Sequence, residues 1–136
     1  MRYLGLDYGH KRIGVAFSDE EGRIAFPLAE LPEEFEVFSR EIRKIIKEKQ
    51  IEKIIVGVPI PFGGKDSLQT RAVRAFGEKL KEAIHVPVEF ENEVLTTKLA
   101  ERYGTSDKKK IDSAAAAIIL QSYLDKIKSE ARNPKS

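Results

Sequence analysis

The chain has 136 residues, of which 34% are charged, and its formal net charge at pH 7 is +2. A domain of this length buries roughly two thirds of its unfolded surface, and the longest apolar stretch, Ala114 to Leu120, is far short of the ~20 residues that span a membrane. The nearly balanced charge excludes a polycation, so binding of nucleic acid would depend on a local basic patch. The chain has no cysteine, which excludes a disulfide framework, and no secretory signal is evident at its start. We therefore expect a cytoplasmic protein that does not enter a membrane.

Two short apolar runs, Arg2 to Asp7 and Arg12 to Ser18, are separated by a four-residue turn. This spacing predicts a strand-turn-strand hairpin in which Gly9 supplies a positive φ. Gly22 to Leu28 is predicted as a third strand. Apolar residues then recur at three- and four-residue steps, which predicts an amphipathic helix over residues 33–49.

The second half of the chain alternates between strand and helix patterns. The continuous β-branched run Lys53 to Val58 is typical of a strand covered on both faces. The predicted elements after it are a helix capped by Asp66 or Ser67, a strand over Val86 to Phe90, a short helix over Thr96 to Tyr103 and a final helix over Ile111 to Lys128. The first of these helices is expected to bury the stripe Leu68, Ala72, Phe76, Leu80 and Ile84.

The element order β-β-β-α-β-α-β-α-α predicts an α/β fold. We expect a mixed five-stranded sheet, made of a three-strand antiparallel meander plus βα units, with helices on both faces. A single domain is expected over residues 1–128, followed by a short polar tail at 129–136.

Three acidic residues, Asp7, Glu93 and Asp112, lie at the ends of otherwise hydrophobic elements. An ionised carboxylate is costly near an apolar interior unless a partner or a metal ion compensates it. We therefore predict that the three converge on divalent cations, as in a metal-dependent phosphodiesterase. Other interpretations stay open: Asp7 as an ordinary turn residue and Asp112 as a helix N-cap. Spacing alone barely prefers Glu93 over Glu89 and Glu91, and we expect the strand to end near Glu91 with Glu93 in the following turn.

Other motifs in the chain are less informative. The Gly-rich segment after the fourth predicted strand lacks phosphate-loop spacing, because Pro59 stands where a glycine is required and Asp66 where a hydroxyl is required. His10 and His85 have no partner ligands at the spacing of a zinc site.

Basic residues near the proposed acids are candidates for contact with a nucleic-acid backbone. They are Lys11, Arg12, Lys65, Arg71, Arg74, Lys108, Lys109 and Lys110. A solvated surface is the alternative for each of them. For the three consecutive lysines beside Asp112 we favour a mobile arm that contacts phosphates.

Four segments, in order and with suitable gaps, together resemble the YqgF family of small bacterial pre-16S rRNA nucleases, also described as Holliday-junction-resolvase-like. They are LDYGHKRIGVAF at 6 to 17, VGVPIPFGG at 56 to 64, ENEVLTT at 91 to 97 and IDSAAAAIILQSY at 111 to 123. The resemblance implies an RNase H-like fold in which Asp7, Glu93 and Asp112 are the catalytic, metal-binding acids. The sequence departs from the family's D-E-R motif, since Asn92 replaces the Asp and Val94 the Arg, and His10 replaces a usual Thr.

The acids and the resemblance together predict two-metal hydrolysis of phosphodiester bonds, with two Mg²⁺ or Mn²⁺ ions held by the three carboxylates. The expected substrate is structured RNA, with 5′-end processing of precursor 16S rRNA in ribosome biogenesis as the expected role. A four-way DNA junction, cut by a dimer, is an alternative substrate, and we expect a monomer or a weak homodimer. A catalytically silent binding module is a second alternative, favoured by Asn92 and Val94. An actin-like ATPase is disfavoured, because it needs two such domains around its nucleotide.

Overall fold

The structure is a computed structural model, and it describes residues 1–9, 11–59, 68–93 and 108–132. The side chains of residue 93, of residues 108–112 and of residues 131–132 lie outside that description. Several predicted features also fall outside the described residues: the helix over Thr96 to Tyr103, the cap at Asp66 or Ser67, and the residues His10, Lys65 and Val94.

Five strands and three helices make up the described part of the chain. The strands are β1 (Tyr3–Tyr8), β2 (Arg12–Ser18), β3 (Ala25–Pro32), β4 (Lys53–Pro59) and β5 (Val88–Glu93). The helices are α1 (Phe35–Lys49), α2 (Leu68–Ala83) and α3 (Lys108–Arg132). None of these three helices combines the length and the apolar character that crossing a membrane requires.

The strands form one sheet in the order β3-β2-β1-β4-β5. β1 pairs antiparallel with β2, and β2 pairs antiparallel with β3, which confirms the predicted meander. β4 pairs parallel with both β1 and β5. Because β1, β4 and β5 run in one direction, their carboxyl ends lie at the same edge of the sheet.

The two faces of the sheet are covered by different helices, since successive side chains of a strand point to opposite faces. On what we term the α1/α2 face, Leu4 and Leu6 of β1 belong to a core cluster that includes Phe38 of α1 and Leu80 of α2. On the opposite side, termed the α3 face, Tyr3 belongs to a second cluster. Its other members include Ala16, Ile55, Ala116, Ile119, Leu120 and Tyr123. The prediction of helices on both faces is therefore confirmed.

The α3 helix packs unusually close to the sheet because two central strands present glycine to it. A Cβ on Gly5 would lie 2.7 Å from the Cβ of Leu120 and 3.0 Å from the carbonyl oxygen of Ala116. A Cβ on Gly57 would collide with the side chain of Ile119. The alanines of α3 permit the same close approach from the helix side, so the position of α3 over β1 and β4 is tightly defined.

Two predictions about the first turns are wrong. β3 begins at Ala25 rather than Gly22, because Gly22 takes a left-handed conformation with φ 69°. The carboxylate of Asp19 also accepts hydrogen bonds from the backbone N–H groups of Arg23 and Ile24, at 2.7 and 3.1 Å. Gly9 lacks a positive φ. Glycine is needed there because a Cβ would lie 2.8 Å from the Arg12 carbonyl oxygen.

The stripe predicted for α2 is confirmed at Phe76 and Leu80, which are buried, and at Ile84, which is buried just beyond the end of the helix. It is wrong at Leu68 and Ala72, which are exposed. The buried side of the helix instead passes through Thr70. The hydroxyl of Thr70 donates a hydrogen bond to the carbonyl of Pro59, at 3.1 Å, which satisfies its polar group in the interior.

Helix α3 is longer than predicted at both ends, beginning at Lys108 rather than Ile111 and ending at Arg132 rather than Lys128. No glycine or proline interrupts these residues, and Pro134 is the first residue beyond them that cannot continue a helix. Residues 129–132 of the predicted polar tail are therefore helical.

Candidate active site

Asp7 lies near the carboxyl end of β1, is partly buried, and shares the α3 face with Tyr3 and Gly5. Leu6 pairs with Val56 in the parallel β1–β4 register, so the next residues along, Asp7 and Gly57, are side by side. Asp7 is therefore part of the sheet, where the ladder fixes its backbone, rather than a residue of the turn.

Glu93 is the last residue of β5, and it pairs with Pro59 of β4. The predicted end of this strand near Glu91 is wrong, because the parallel pairing with β4 continues for two further residues. Glu91 pairs with Gly57 and is thus level with Asp7. Two spacings of about 4.8 Å separate β1 from β5, and Glu93 lies about 7 Å beyond Glu91 on the same face.

Asp112 is the fifth residue of α3, so it does not open the helix, and the alternative interpretation of Asp112 as the helix N-cap is wrong. The helix runs antiparallel to β1, since Tyr123 contacts Tyr3 with ring centroids 5.8 Å apart, and Ala116 lies over Gly5. From Ala116 to Asp112 is one turn, about 6 Å along the helix. From Gly5 to Asp7 is about 7 Å in the same direction. The backbones of Asp7 and Asp112 therefore lie at the same level along the strand direction, Asp7 in the sheet and Asp112 in the helix that covers it.

The structure thus brings the backbones of all three predicted acids to one end and one face of the sheet. The side chains of Glu93 and Asp112 are outside the described residues. Among the side chains that are described, no group of three His, Cys, Asp or Glu residues could hold a metal ion. The donor set of the three acids consists of carboxylates alone, which suits a hard, oxygen-seeking cation such as Mg²⁺.

The first turn of α2, which lies on the α1/α2 face, forms hydrogen bonds with this same edge of the sheet. The side-chain amide of Gln69 donates a hydrogen bond to the carbonyl oxygen of Tyr8, at 3.0 Å. The Tyr8 ring packs on Phe76 with centroids 4.6 Å apart. Together with the bond from Thr70 to Pro59, these contacts hold the residue after Asp7 and the end of β4 in place.

Two of the alternating glutamates of β5 form ion pairs with lysine side chains on the α3 face. Lys53 Nζ lies 2.9 Å from Glu89 Oε1 and donates a hydrogen bond to the Tyr123 hydroxyl at 3.1 Å. The hydrogen bond to Glu89 raises the pKa of Lys53. The same bond lowers the pKa of Glu89, against the opposing effect of partial burial. Burial raises the pKa of the Tyr123 phenol.

Glu91 has a different partner. Its Oε1 lies 3.0 Å from Nζ of Lys126, and this hydrogen bond raises the pKa of Lys126. Glu89 and Glu91, the two residues that spacing could not distinguish from Glu93, therefore both have lysine partners.

The predicted nucleic-acid contacts fall into four groups. Lys11, Arg71 and Arg74 are exposed. Arg12 is engaged with Glu30 of the neighbouring strand, with 3.5 Å between its Nη1 and Oε1. Lys108, Lys109 and Lys110 form the first turn of α3, so they belong to a helix rather than to a separate arm. Lys65 lies outside the described residues.

Sequence reasoning missed the side chains that support the site: Lys53, Gln69, Tyr123 and Lys126. A signal for the lysines was present, because alternating glutamates on one strand face require cations on the elements opposite. Which lysines lie there depends on where α3 crosses the sheet, and local spacing does not contain that information. Gln69 offered no signal, because a polar residue in a first helical turn is ordinary.

Comparison with known sequences identifies the family. The family RuvX, described as Holliday junction resolvase, matches residues 1–126. A protein of Caldanaerobacter subterraneus named as a pre-16S rRNA nuclease is 43% identical over 134 residues, covering 92% of this chain and 96% of its own. A protein of Sulfurihydrogenibium with the same name is 42% identical over 133 residues, covering 93% of this chain and 91% of its own.

Comparison with solved structures supports the fold. RuvC of Thermus thermophilus, in complex with a Holliday junction substrate, superposes with a TM-score of 0.54 and 16% identity, covering 97% of this chain and 95% of its own. A second structure of RuvC from that organism gives the same TM-score at 12% identity, covering 95% of this chain and 97% of its own. At these identities the likeness concerns the fold alone, and it confirms the RNase H-like architecture. The predicted relation to YqgF proteins is confirmed as well: the chain belongs to the RuvX family of Holliday-junction-resolvase-like nucleases, which are hydrolases of phosphodiester bonds.

Proposed function

We propose that this chain is a divalent-metal-dependent endonuclease whose substrate is the precursor of 16S rRNA, cleaved at the site formed by Asp7, Glu93 and Asp112. One observation carries the proposal. Three acids that are distant in sequence belong to elements whose backbones meet at one end of the α3 face. A structural role alone would not require acids at all three of these positions, because each lies beside an apolar element.

The residues fit the proposed metal. Asp7, Glu93 and Asp112 would hold two Mg²⁺ or Mn²⁺ ions, as hard cations prefer carboxylate oxygens and keep some of their waters. When bound, such ions activate water as a nucleophile and stabilise the oxygen that leaves the phosphate. The protein contributes the positions of the acids. Pairing of β1 with β2 fixes the backbone of Asp7, and the close packing of α3 on Gly5 and Gly57 fixes the helix that carries Asp112.

The proposed contact with the substrate backbone uses the basic residues around this edge. Lys108, Lys109 and Lys110 are of special interest, because cations are unfavourable in the first turn of a helix. The first turn of α3 contains no acidic residue that would offset them. An anionic phosphate backbone would interact favourably there with both the positive end of the helix dipole and the three lysines. Lys11, Arg71 and Arg74 would extend this contact along the strand of nucleic acid.

RNA is favoured over a DNA junction as the substrate by the names of relatives that are about 40% identical across nearly their whole length. A four-way junction is the second candidate, supported by the family's description. A resolvase should act as a homodimer, so that its two cuts are symmetric. The oligomeric state therefore bears on the choice, and we propose a monomer for the RNA-processing role.

The test is a cleavage assay that offers a precursor 16S rRNA fragment and a four-way DNA junction to the same preparation, with Mn²⁺ and with a chelator. We expect Mn²⁺-dependent cuts in the RNA, none with the chelator, and none by Asp112→Asn. Cleavage of the junction alone would replace the proposed substrate. Tight binding of RNA without any metal-dependent cleavage would favour a silent binding module, in line with the loss of the usual Asp and Arg at Asn92 and Val94.

A further inference from the structure

Glu91 is the one charged residue among the described residues that is fully buried, with 5% of its surface exposed. It is level with Asp7 on the same face of the sheet, two strands away. By position it would be a natural fourth ligand for the proposed site, and yet the structure gives it a different contact.

The side chain of Ile119 keeps Glu91 apart from Asp7. Gly57 stands between the two acids in the same row of the sheet, and Ile119 occupies the space that a side chain on Gly57 would fill. Ile119 is itself buried, with 1% of its surface exposed. An apolar side chain therefore covers the strand that lies between the two acids.

Glu91 instead forms an ion pair with Lys126, with 3.0 Å between Oε1 and Nζ. Lys126 belongs to α3, and its side chain is 57% exposed. The pair therefore links β5 directly to the helix that carries Asp112. Most of α3 packs over β1, β2 and β3, and much less of it lies near β5.

This link matters because β5 is the edge strand of the sheet that the described residues form, where it pairs with β4 alone. Glu93 is the last residue of β5, two residues beyond Glu91. The far end of an edge strand is where local opening is easiest. A contact from Glu91 to α3 restrains this end relative to the other two acids.

We propose that Glu91 and Lys126 are positioning residues: their ion pair holds the end of β5 against α3, so that Glu93 is presented to the same metal ions as Asp7 and Asp112. This inference rests on the proposed function. It assigns to Glu91 no contact with metal or substrate. It predicts that loss of the Lys126 charge weakens metal binding by the folded protein, which a contribution to stability alone would not do.

The experiment measures Mn²⁺ affinity by calorimetry and electron paramagnetic resonance on the full chain, at a temperature where every variant is folded. Lys126→Met keeps the aliphatic stem and removes the charge, and we expect its affinity to fall about tenfold, as for loss of a residue that orients a metal ligand. Lys126→Arg keeps the charge and should bind Mn²⁺ nearly as the wild type does. Glu91→Gln should resemble Lys126→Met.

The matched control is Lys44→Met, which breaks a surface pair with Glu41 on α1, where the two charged atoms are 3.6 Å apart. It should leave Mn²⁺ affinity unchanged. Wild-type affinity in Lys126→Met would overturn the inference while leaving the proposed function intact. Undiminished affinity in Asp7→Asn would overturn the proposed function, and this inference with it.

Discussion

Leu6 and Asp7 are neighbours in β1, yet they belong to two differently built halves of the molecule. Leu6 is fully buried on the α1/α2 face, among large aliphatic and aromatic side chains. Asp7 points to the α3 face, where the central strands carry Gly5 and Gly57 and the edge strand carries glutamates. The first face is a conventional apolar core, and the second combines close helix packing with charge. We infer that the first mainly stabilises the fold and that the second mainly arranges the site.

The largest effect on the cleavage rate should come from a substitution on the α3 face. Asp7→Asn keeps the shape of the side chain and removes its charge, so we expect Mn²⁺-dependent cleavage of RNA to fall by at least ~100-fold, equivalent to about 2.7 kcal/mol of lost transition-state stabilisation. The melting temperature should not fall. Asp125→Asn is the control, because Asp125 is exposed and accepts a hydrogen bond only at the helix surface, from Gln121 at 3.0 Å. Cleavage by Asp7→Asn at the wild-type rate would remove Asp7 from the site.

Substitution of the neighbouring residue, Leu6, should lower the stability and leave the cleavage rate nearly unchanged. Leu6→Ala leaves a cavity in the α1/α2 core and should lower the free energy of unfolding by about 3 kcal/mol. Below its melting temperature, its cleavage rate should stay close to that of the wild type. The matched control is Leu68→Ala, since Leu68 is 83% exposed. Urea denaturation measures the free energy of unfolding of both variants. A decrease as large in Leu68→Ala as in Leu6→Ala would contradict the assignment of Leu6 to the core.

Substitutions at two glycines test whether displacement of α3 lowers the cleavage activity more than displacement of α2 does. Gly57→Ala would push Ile119 and α3 off the sheet, and overpacking of this kind costs roughly 1–3 kcal/mol. Gly77→Ala would meet the ring of Phe90 on the opposite face. We expect both variants to lose stability, and only Gly57→Ala to lose activity while still folded. Equal activity in the two folded variants would show that the placement of α3 does not govern the site.

The smallest effect concerns the ion pair of Lys53 with Glu89. The pKa of Glu89 is lowered from 4.5, so its contribution to stability is present above that pH and is lost as pH falls through the folded-state pKa. The pKa of Lys53 is raised from 10.5, so its contribution is present below that pH and is lost as pH rises through the folded-state pKa. The stability difference between wild type and Lys53→Met should therefore be widest between these limits. Urea denaturation across pH measures it, and a difference independent of pH would contradict the assignment.

Local patterns were sufficient for the order of the strands and helices that the structure describes, since alternation in β1 and the helical repeat in α1 reflect which side chains are buried. They were also sufficient to place Asp7 near the carboxyl end of the first strand, where the apolar run ends. They did not reveal the length of β5 or of α3. β5 continues to Glu93 through hydrogen bonds from β4, and α3 begins early despite three lysines in its first turn.

The partners of the glutamates were beyond local reasoning for a related physical reason. Glu91 and Lys126 are 35 residues apart in sequence, and they meet only because Gly5 and Gly57 let α3 lie close across the sheet. Contacts of this kind depend on the crossing of two elements. No periodicity within either element records such a crossing.

The most direct test of the central claim is a crystal structure of the full chain grown with Mn²⁺, in which anomalous scattering locates the metal. We expect a peak within about 2.1 Å of carboxylate oxygens of Asp7, Glu93 and Asp112, with Glu91 still bound to Lys126. A metal bound elsewhere, or side chains of the three acids directed away from one another in the presence of saturating Mn²⁺, would contradict the account.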